Sequence, residues 1–591
     1  MTFFQLDNKW LIRPLFLFLM GYAILRALLV EPLFDELATL YWYIQTGYLP
    51  GRGATMDANN HILNSLVSHQ LFRLFGDHFL VYRLFALCTF PIYFFSARKL
   101  LLSTKTAFSF LIFLALVSVH WIFDYFSFSR GYGPSLAFLL LSLCWIQDWL
   151  QSFKSGTYAG IVLFFALALL CNLSLLIPLV ILLFYLIVVS ILQRNRFSLK
   201  KQVIFWITTL CFMTFLVPVY IYINKLKKAG ALWWGSKEGF WEVTGKSISK
   251  TIFFTESDIL KYVIFFCLVL MIFTWYSGWK QSGLRKSLSN PSWWIPGLFL
   301  TVVFSIEISS KVLKVNYPMD RVGMYLVPLF ILSFGFSIGK LKTLRWVLLS
   351  LLWFPLSFLF KLNLDTSVFS PEDRIHRSFY REILREVPSD ATISADYVSQ
   401  ASYAYLSRRE RIPHIANDYL PTDSLSLGDY HLSWVEELQH SDYACILRDP
   451  ISGTRLYKRT FAYRKQVVLD TVVQISKTSN GMIPVLDFDL STFANQTIQT
   501  QVDAGVQVNP YCLDLNLRHE IQSQNGDLRR TDNTRFNWYF GRKKSYLFHY
   551  PNHPMPVLPG DQFLHIRFYN DDLNEVNLSG IRIKIMRLMK S

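Results

Sequence analysis

The feature that most constrains this chain is a change of character near residue 362. Before it, apolar spans of about 20 residues follow one another with little polar sequence between them. After it the sequence is mixed in charge and rich in turn residues. A helix of about 20 residues, rising 1.5 Å per residue, crosses a hydrocarbon core of about 30 Å. In lipid each backbone polar group must find its partner within the segment, so repeated spans of this kind fold as membrane helices. Charge divides at the same place: residues 1–362 hold 32 Lys+Arg against 14 Asp+Glu, and residues 363–591 hold 26 against 27. The net +17 therefore belongs to the membrane part. The nearly neutral remainder takes away the support for a nucleic-acid partner, which needs a basic face.

Eleven spans are expected, at 11–30, 79–98, 106–126, 133–152, 158–172, 174–193, 203–223, 259–278, 293–311, 322–339 and 344–361. No signal-peptide cleavage pattern precedes the first, so it stays as a membrane helix. The basic loops RNRFSLKK (194–201), KQSGLRKS (280–287) and GKLKTLR (339–345) read as cytoplasmic. The N-terminus is then inside, and an odd number of spans puts residues 363–591 on the extracytoplasmic side of the plasma (inner) membrane. Cys88, Cys144, Cys171, Cys211 and Cys267 lie in apolar spans as small core residues. Cys445 and Cys512 are the two outside, and pairing between them would need an oxidising compartment.

The fold class expected is a polytopic α-helical membrane protein carrying C-terminal extracytoplasmic domains: a membrane domain over 1–362, a small α/β module over 363–460 and a β-sandwich over 461–591. In the module, the helix-like RIHRSFYREILREV is followed by strand-like ATISAD, RIPHI and YACILRD. In the sandwich, KQVVLDTVVQI, IQTQVDAG, YCLDLNLRHEI, FLHIRFYN and IRIKIMRL alternate between turn residues.

The residues that could carry chemistry cluster at the outer ends of the spans. Asp35 and Glu36 follow the first span directly, in EPLFDELATLYWY. Such carboxylates serve as a general base or bind a divalent cation, and equally cap a helix start after Pro32. Asp57, Asn59, Asn60 and His61 form a polar run near the same surface, able to hydrogen-bond a sugar, to complete a metal site with Asp35, or simply to turn the chain into ILNSLVSHQLFRLFG. In FSFSRGYGPSL, Arg130 beside Tyr132 offers a guanidinium to a phosphate, or snorkels at the interface. Tyr317, Asp320 and Arg321 repeat the theme in NYPMDRVGMYLVP, and Glu307 lies within the ninth span. The loop 224–258 is rich in Lys and in Trp233, Trp234 and Trp241, fitting lipid headgroups as well as a sugar.

Taken in order, FDE, ANNHILNSL, VYRLFALCTFPIYFFSARKLL, FSRGYG, Asn172 in LLCNLSLL, and YPMDR resemble the GT-C superfamily of membrane glycosyltransferases over roughly residues 10–345. The nearest look is to the protein mannosyltransferase and aminoarabinose transferase branch. That resemblance implies a polyprenyl-phosphate-sugar donor, an inverting transfer to a lipid, glycan or protein acceptor, and a catalytic carboxylate at Asp35. Glu36 or Asp57 would support it, Arg130 and Arg321 would meet the phosphate, and Asn59, Asn60, His61, Tyr132, Asn172, Tyr317 and Asp320 would bind substrate. A divalent metal, if used, would draw on Asp35, Asp57 and His61. The run ANNHI departs from relatives that carry a Pro after the His. The alternatives are a lipid-linked glycan polymerase or ligase, and a flippase or transporter. Transporters carry paired broken helices and mid-membrane charges, whereas the charges here gather at the outer boundary.

Overall fold

A computed structural model describes the chain apart from residues 1–8, 52–55, 105–107, 233, 256, 284–287, 340, 342, 412–413, 419–426, 434–440, 510–514, 542, 572 and 591. Trp233 and Cys512 lie outside the described residues. The chain forms two compact units, one of Met1–Val30 with Tyr48–Phe369 and one of Glu31–Gly47 with Ser370–Ser591.

The first unit is helical. Its elements are α1 (Lys9–Leu29), α3 (Ile62–Phe75), α4 (Phe79–Thr104), α5 (Ser109–Val117), α6 (His120–Asp124), α7 (Tyr132–Ser152), α8 (Ser155–Cys171), α9 (Leu176–Leu192), α10 (Leu199–Lys228), α11 (Lys246–Phe253), α12 (Asp258–Ser282), α13 (Pro291–Leu313), α14 (Leu326–Ile338) and α15 (Trp353–Phe360). The second unit contributes α2 (Phe34–Thr39).

Among the described residues seven helices are long and apolar enough to cross a membrane, and three more apolar helices are shorter. The chain is a multi-pass membrane protein. The expected eleven spans each coincide with apolar helix, but four depart from full length. The span at 106–126 breaks at Ser118–Val119 into α5 and α6. Those at 158–172, 322–339 and 344–361 are the shorter helices, the last beginning as a 3₁₀ stretch at Arg345–Leu352.

Helices pack closely where glycine allows it. A Cβ on Gly335 would lie 2.6 Å from Ile112, and one on Gly160 would enter the Trp145 ring. Aromatic side chains fill the centre, with Phe90 against Phe123 at 5.3 Å and Phe94 against Phe113 at 5.0 Å. The carbonyls left open where α1 ends are met by Arg83, fully buried, whose Nη1 donates to Ala27 at 3.1 Å and Val30 at 2.9 Å.

The second unit begins with α2 and a π-helical turn at Leu40–Ile44. Its α/β module carries α16 (Arg377–Glu386), α17 (Tyr397–Glu410) and a five-stranded sheet of order β2-β1-β3-β5-β4. The strands are β1 (Ile393–Ala395), β2 (Ala416–Asp418), β3 (Tyr430–Ser433), β4 (Tyr443–Arg448) and β5 (Arg455–Arg459). β1 pairs parallel with β2, so the chain must cross over between them, and α17 makes that crossover. Asp396 caps α17, accepting from the Ser399 N–H at 2.8 Å. The strand expected at RIPHI (411–415) is instead found directly after it, at β2, and residues 412–413 lie outside the described residues.

The remaining strands build a sandwich of two antiparallel sheets, β10-β9-β13-β7 and β11-β8-β14-β6. These are β6 (Tyr463–Thr478), β7 (Met482–Asp489), β8 (Thr497–Asn509), β9 (Leu515–Ser523), β10 (Leu528–Arg535), β11 (Ser545–Pro551), β13 (Asp561–Asn570) and β14 (Glu575–Lys590), with the short β12 (Met555–Pro556) beside β8. Alternate residues Ile498, Val502, Val506, Leu517, Ile521, Ile566 and Phe568 are buried, as expected for sheets packed face to face. Phe548 of one sheet meets Phe568 of the other at 6.2 Å.

Candidate active site

Three of the sequence motifs, far apart along the chain, meet within the first unit. The ANNH run turns into α3, the SRGYG run opens α7, and Asn172 ends α8. His61 is 3% exposed, and its Nδ1–H donates to the Cys171 carbonyl at 2.6 Å. A carbonyl can only accept, so Nδ1 carries a proton in this contact. The His61 ring stands edge-on to Tyr132 at 4.4 Å, and Tyr125 packs on Tyr132 at 4.8 Å.

Arg130 is 1% exposed. Its Nη2 donates to Asn59 Oδ1, and its guanidinium lies 5.7 Å from the Tyr132 ring centre. The Asn60 amide donates to the Leu49 carbonyl, and its Oδ1 accepts from Ser65 at 2.8 Å. Asn64 binds the Ser129 carbonyl at 3.2 Å, tying α3 to the start of the arginine motif. Asn172 is a cap: its Oδ1 accepts from the Ser174 N–H at 3.1 Å and the Ser174 hydroxyl at 2.8 Å, which explains the break between α8 and α9. Asp57 accepts from the Asn59 N–H at 2.9 Å, an Asx turn that presents the asparagine pair.

Gly131 is required for this meeting. A side chain there would strike the Cys171 carbonyl and lie 2.6 Å from His61 Cβ. Only glycine lets the start of α7 approach the end of α8 so closely.

Tyr317, Asp320 and Arg321 have separate contacts in the same unit. The Tyr317 hydroxyl donates to Glu307 at 3.1 Å, and Glu307 pairs with Lys311 at 2.6 Å, the ordinary way to hold an acid near the bilayer. Asp320 stands at φ +50°, and its N–H donates to Ser247. Arg321 lies over Trp234, 4.9 Å from the ring centre. The contacts described for these three are with Glu307, Ser247 and Trp234, whereas those described for Arg130 are with Asn59 and Tyr132.

Asp35 and Glu36 belong to the second unit. Both are buried in α2, at 8% and 4% exposure. Glu36 Oε2 accepts from the Leu33 N–H at 3.3 Å, so its carboxylate serves the helix start. The segment is anchored by aromatic contacts, Tyr41 stacked on Trp538 at 4.7 Å and Phe34 against Tyr397 at 5.2 Å. Among the described residues no group of three or more His, Cys, Asp or Glu is placed to hold a metal ion.

Two further charged sets went unmarked in the sequence. Glu31, 6% exposed, accepts two bonds from Arg409 at 2.7 and 2.8 Å within the second unit. Inside the first unit Arg26 pairs with Asp124 at 2.9 Å, and His120 lies 3.4 Å from the same carboxylate, all three fully or nearly fully buried. Arg26 also donates to the Asn363 and Thr366 carbonyls, and Ser367 donates to Asp124, so α1 and α6 hold the chain just beyond the last apolar helix. Ionisable residues inside apolar spans were the available signal.

No family model matches the chain, and no curated protein matches it. Among solved structures it is similar to ArnT from Cupriavidus metallidurans bound to undecaprenyl phosphate, at 9% identity and a TM-score of 0.44, over 76% of this chain and 98% of that one. It is also similar to the arabinosyltransferase EmbB from Mycobacterium smegmatis, at 11% identity and 0.39, over 96% of this chain and 63% of that one. The apo state of the same ArnT gives 11% and 0.30, over 67% and 82%.

Proposed function

We propose that the chain is a membrane glycosyltransferase that moves a sugar from a polyprenyl-phosphate carrier to an extracytoplasmic lipid, glycan or protein acceptor, with inversion. The observation that carries this reading is the buried Arg130, held by Asn59 and Tyr132 beside His61. The bond that breaks joins the sugar carbon to a phosphate oxygen, so negative charge grows on phosphate. A fixed guanidinium in a dry setting stabilises that charge better than an acid catalyst would. Asn59, Asn60 and His61 supply amide and imidazole groups suited to sugar hydroxyls. Asp35 is the carboxylate assigned to take the proton of the attacking acceptor hydroxyl. Glu36 is the supporting neighbour, engaged by the Leu33 N–H.

The test uses purified protein with radiolabelled polyprenyl-phosphate sugars and a membrane extract. Transfer by wild type and its loss in both Arg130→Gln and Asp35→Asn are expected. Lipid-linked sugar that crosses vesicles without being transferred would put a flippase in place of the enzyme, and a product longer by many sugars would indicate a polymerase or ligase.

A further inference from the structure

A cavity of about 910 Å³ opens in the first unit between α12, α13 and the loop at residues 237–242. It plays no part in the reaction proposed above. Its walls are apolar and fall at helical spacing: Phe265, Leu268, Val269 and Ile272 on α12, and Leu300, Val303 and Phe304 on α13. Phe265, Val269, Ile272 and Phe304 are exposed, although each lies in a helix able to cross the membrane, so the cavity is open to lipid.

One end is polar. Lys237, Glu238, Lys311, Lys314 and Tyr317 gather there with Trp241. Lys311 is taken up by Glu307, at 2.6 Å. Glu242 is taken up by Lys246 and Lys261, at 2.9 and 2.6 Å. Among the described residues Lys237, Lys314 and Glu238 have no ion-pair partner. The mouth thus offers two cations and one carboxylate to a ligand. From Leu300 to Lys311 the wall runs eleven residues, about 16 Å at 1.5 Å per residue. That is about the 15 Å of one leaflet's hydrocarbon.

We propose that this cleft is a site for one bilayer phospholipid whose headgroup carries a phosphate beside a primary ammonium. Its acyl chains lie along the α12 and α13 walls, its phosphate meets Lys237 and Lys314, and its ammonium meets Glu238. A headgroup with phosphate alone would leave Glu238 facing an anion. Depth and charge together thus select an aminophospholipid over a simple anionic one.

The full-length protein would be purified in mild detergent from a membrane holding phosphatidylethanolamine and phosphatidylglycerol, and its retained lipid identified by native mass spectrometry. Wild type is expected to keep one phosphatidylethanolamine. Lys237→Ala with Lys314→Ala should lower that occupancy at least fivefold, and so should Val269→Trp, which fills the apolar wall and leaves the charges alone. Glu238→Gln should turn the preference toward phosphatidylglycerol. Unchanged occupancy in Val269→Trp overturns the proposal, as does equal retention of both phospholipids by wild type. A retained polyprenyl phosphate in their place would assign the cleft to the sugar donor.

Discussion

Gly131 and His61 approach so closely that a Cβ on the glycine would lie 2.6 Å from the His61 Cβ. The same Cβ would also strike the Cys171 carbonyl that holds the His61 ring. Gly131→Ala must therefore push apart the start of α7 and the end of α8. Overpacking of this kind costs about 1–3 kcal/mol of stability. A displacement of about 1 Å at a positioned group lowers rate about 100-fold. Sugar transfer should fall by about that factor while the protein remains foldable, as judged by its thermal transition in detergent. Transfer within about twofold of wild type would mean that the His61–Cys171 contact does not serve the reaction.

The two acids of α2 should separate by readout. Glu36 closes the helix start through the Leu33 N–H, so Glu36→Gln keeps an acceptor there and should lose about 1 kcal/mol or less of stability. Asp35, assigned as the base, should lose about 100-fold or more in kcat when changed to Asn, with KM little altered. The check is kinetics of both variants at saturating donor. Equal losses in the two would make the pair a structural unit and remove the base assignment.

Much of this was legible because membrane helices are written locally. Twenty apolar residues declare a span wherever they occur, and an Asn between two such runs declares a break, which is why Asn172 was readable. The alternation of Val, Ile and Leu in β6, β8 and β14 likewise declared the sandwich. The order of short motifs pointed to His61 and Arg130, but the contact of His61 with Cys171 was not readable, since the two are 110 residues apart. Nor was the Glu31–Arg409 pair, separated by 378 residues, or the inclusion of 31–47 in the second unit. Span length was overestimated at 106–126 because hydropathy averages across a backbone break at Ser118–Val119, which it does not register.

Arg409 holds Glu31 through two hydrogen bonds from one guanidinium nitrogen. Arg409→Met keeps the apolar stem and removes the charge, leaving a carboxylate of 6% exposure without its cation. Stranding a buried charge costs several kcal/mol, reduced here to about 1–3 kcal/mol because Arg409 is one-third exposed. The variant should show faster hydrogen exchange in residues 31–47 with the first unit's helices unaffected. Unchanged exchange there would show that the aromatic contacts of Tyr41 and Phe34 hold the segment alone.

Acid should weaken the second unit through its buried histidines. His431 stands on β3, the central strand of the α/β sheet, at 2% exposure, with Ser394 Oγ 3.0 Å from its Nδ1. Burial disfavours the charged ring and holds its pKa down at about 4, against an ordinary value of about 6.5. The unfolded chain therefore binds the proton first as pH falls. Stability from the neutral ring is fully present above pH about 6.5 and is lost progressively from there down to pH about 4. At pH 5 the loss is about 2 kcal/mol, from roughly 1.5 units at 1.36 kcal/mol each. His414 and His519 are lowered in the same direction by burial, so the whole unit should lose more than one proton's worth. Unfolding of the intact protein at pH 7 and pH 5, followed by hydrogen exchange in the β3 peptides, measures this. His431→Asn should be less stable at pH 7 yet lose about 2 kcal/mol less than wild type on acidification. An unchanged pH dependence in that variant would place the acid sensitivity in other groups.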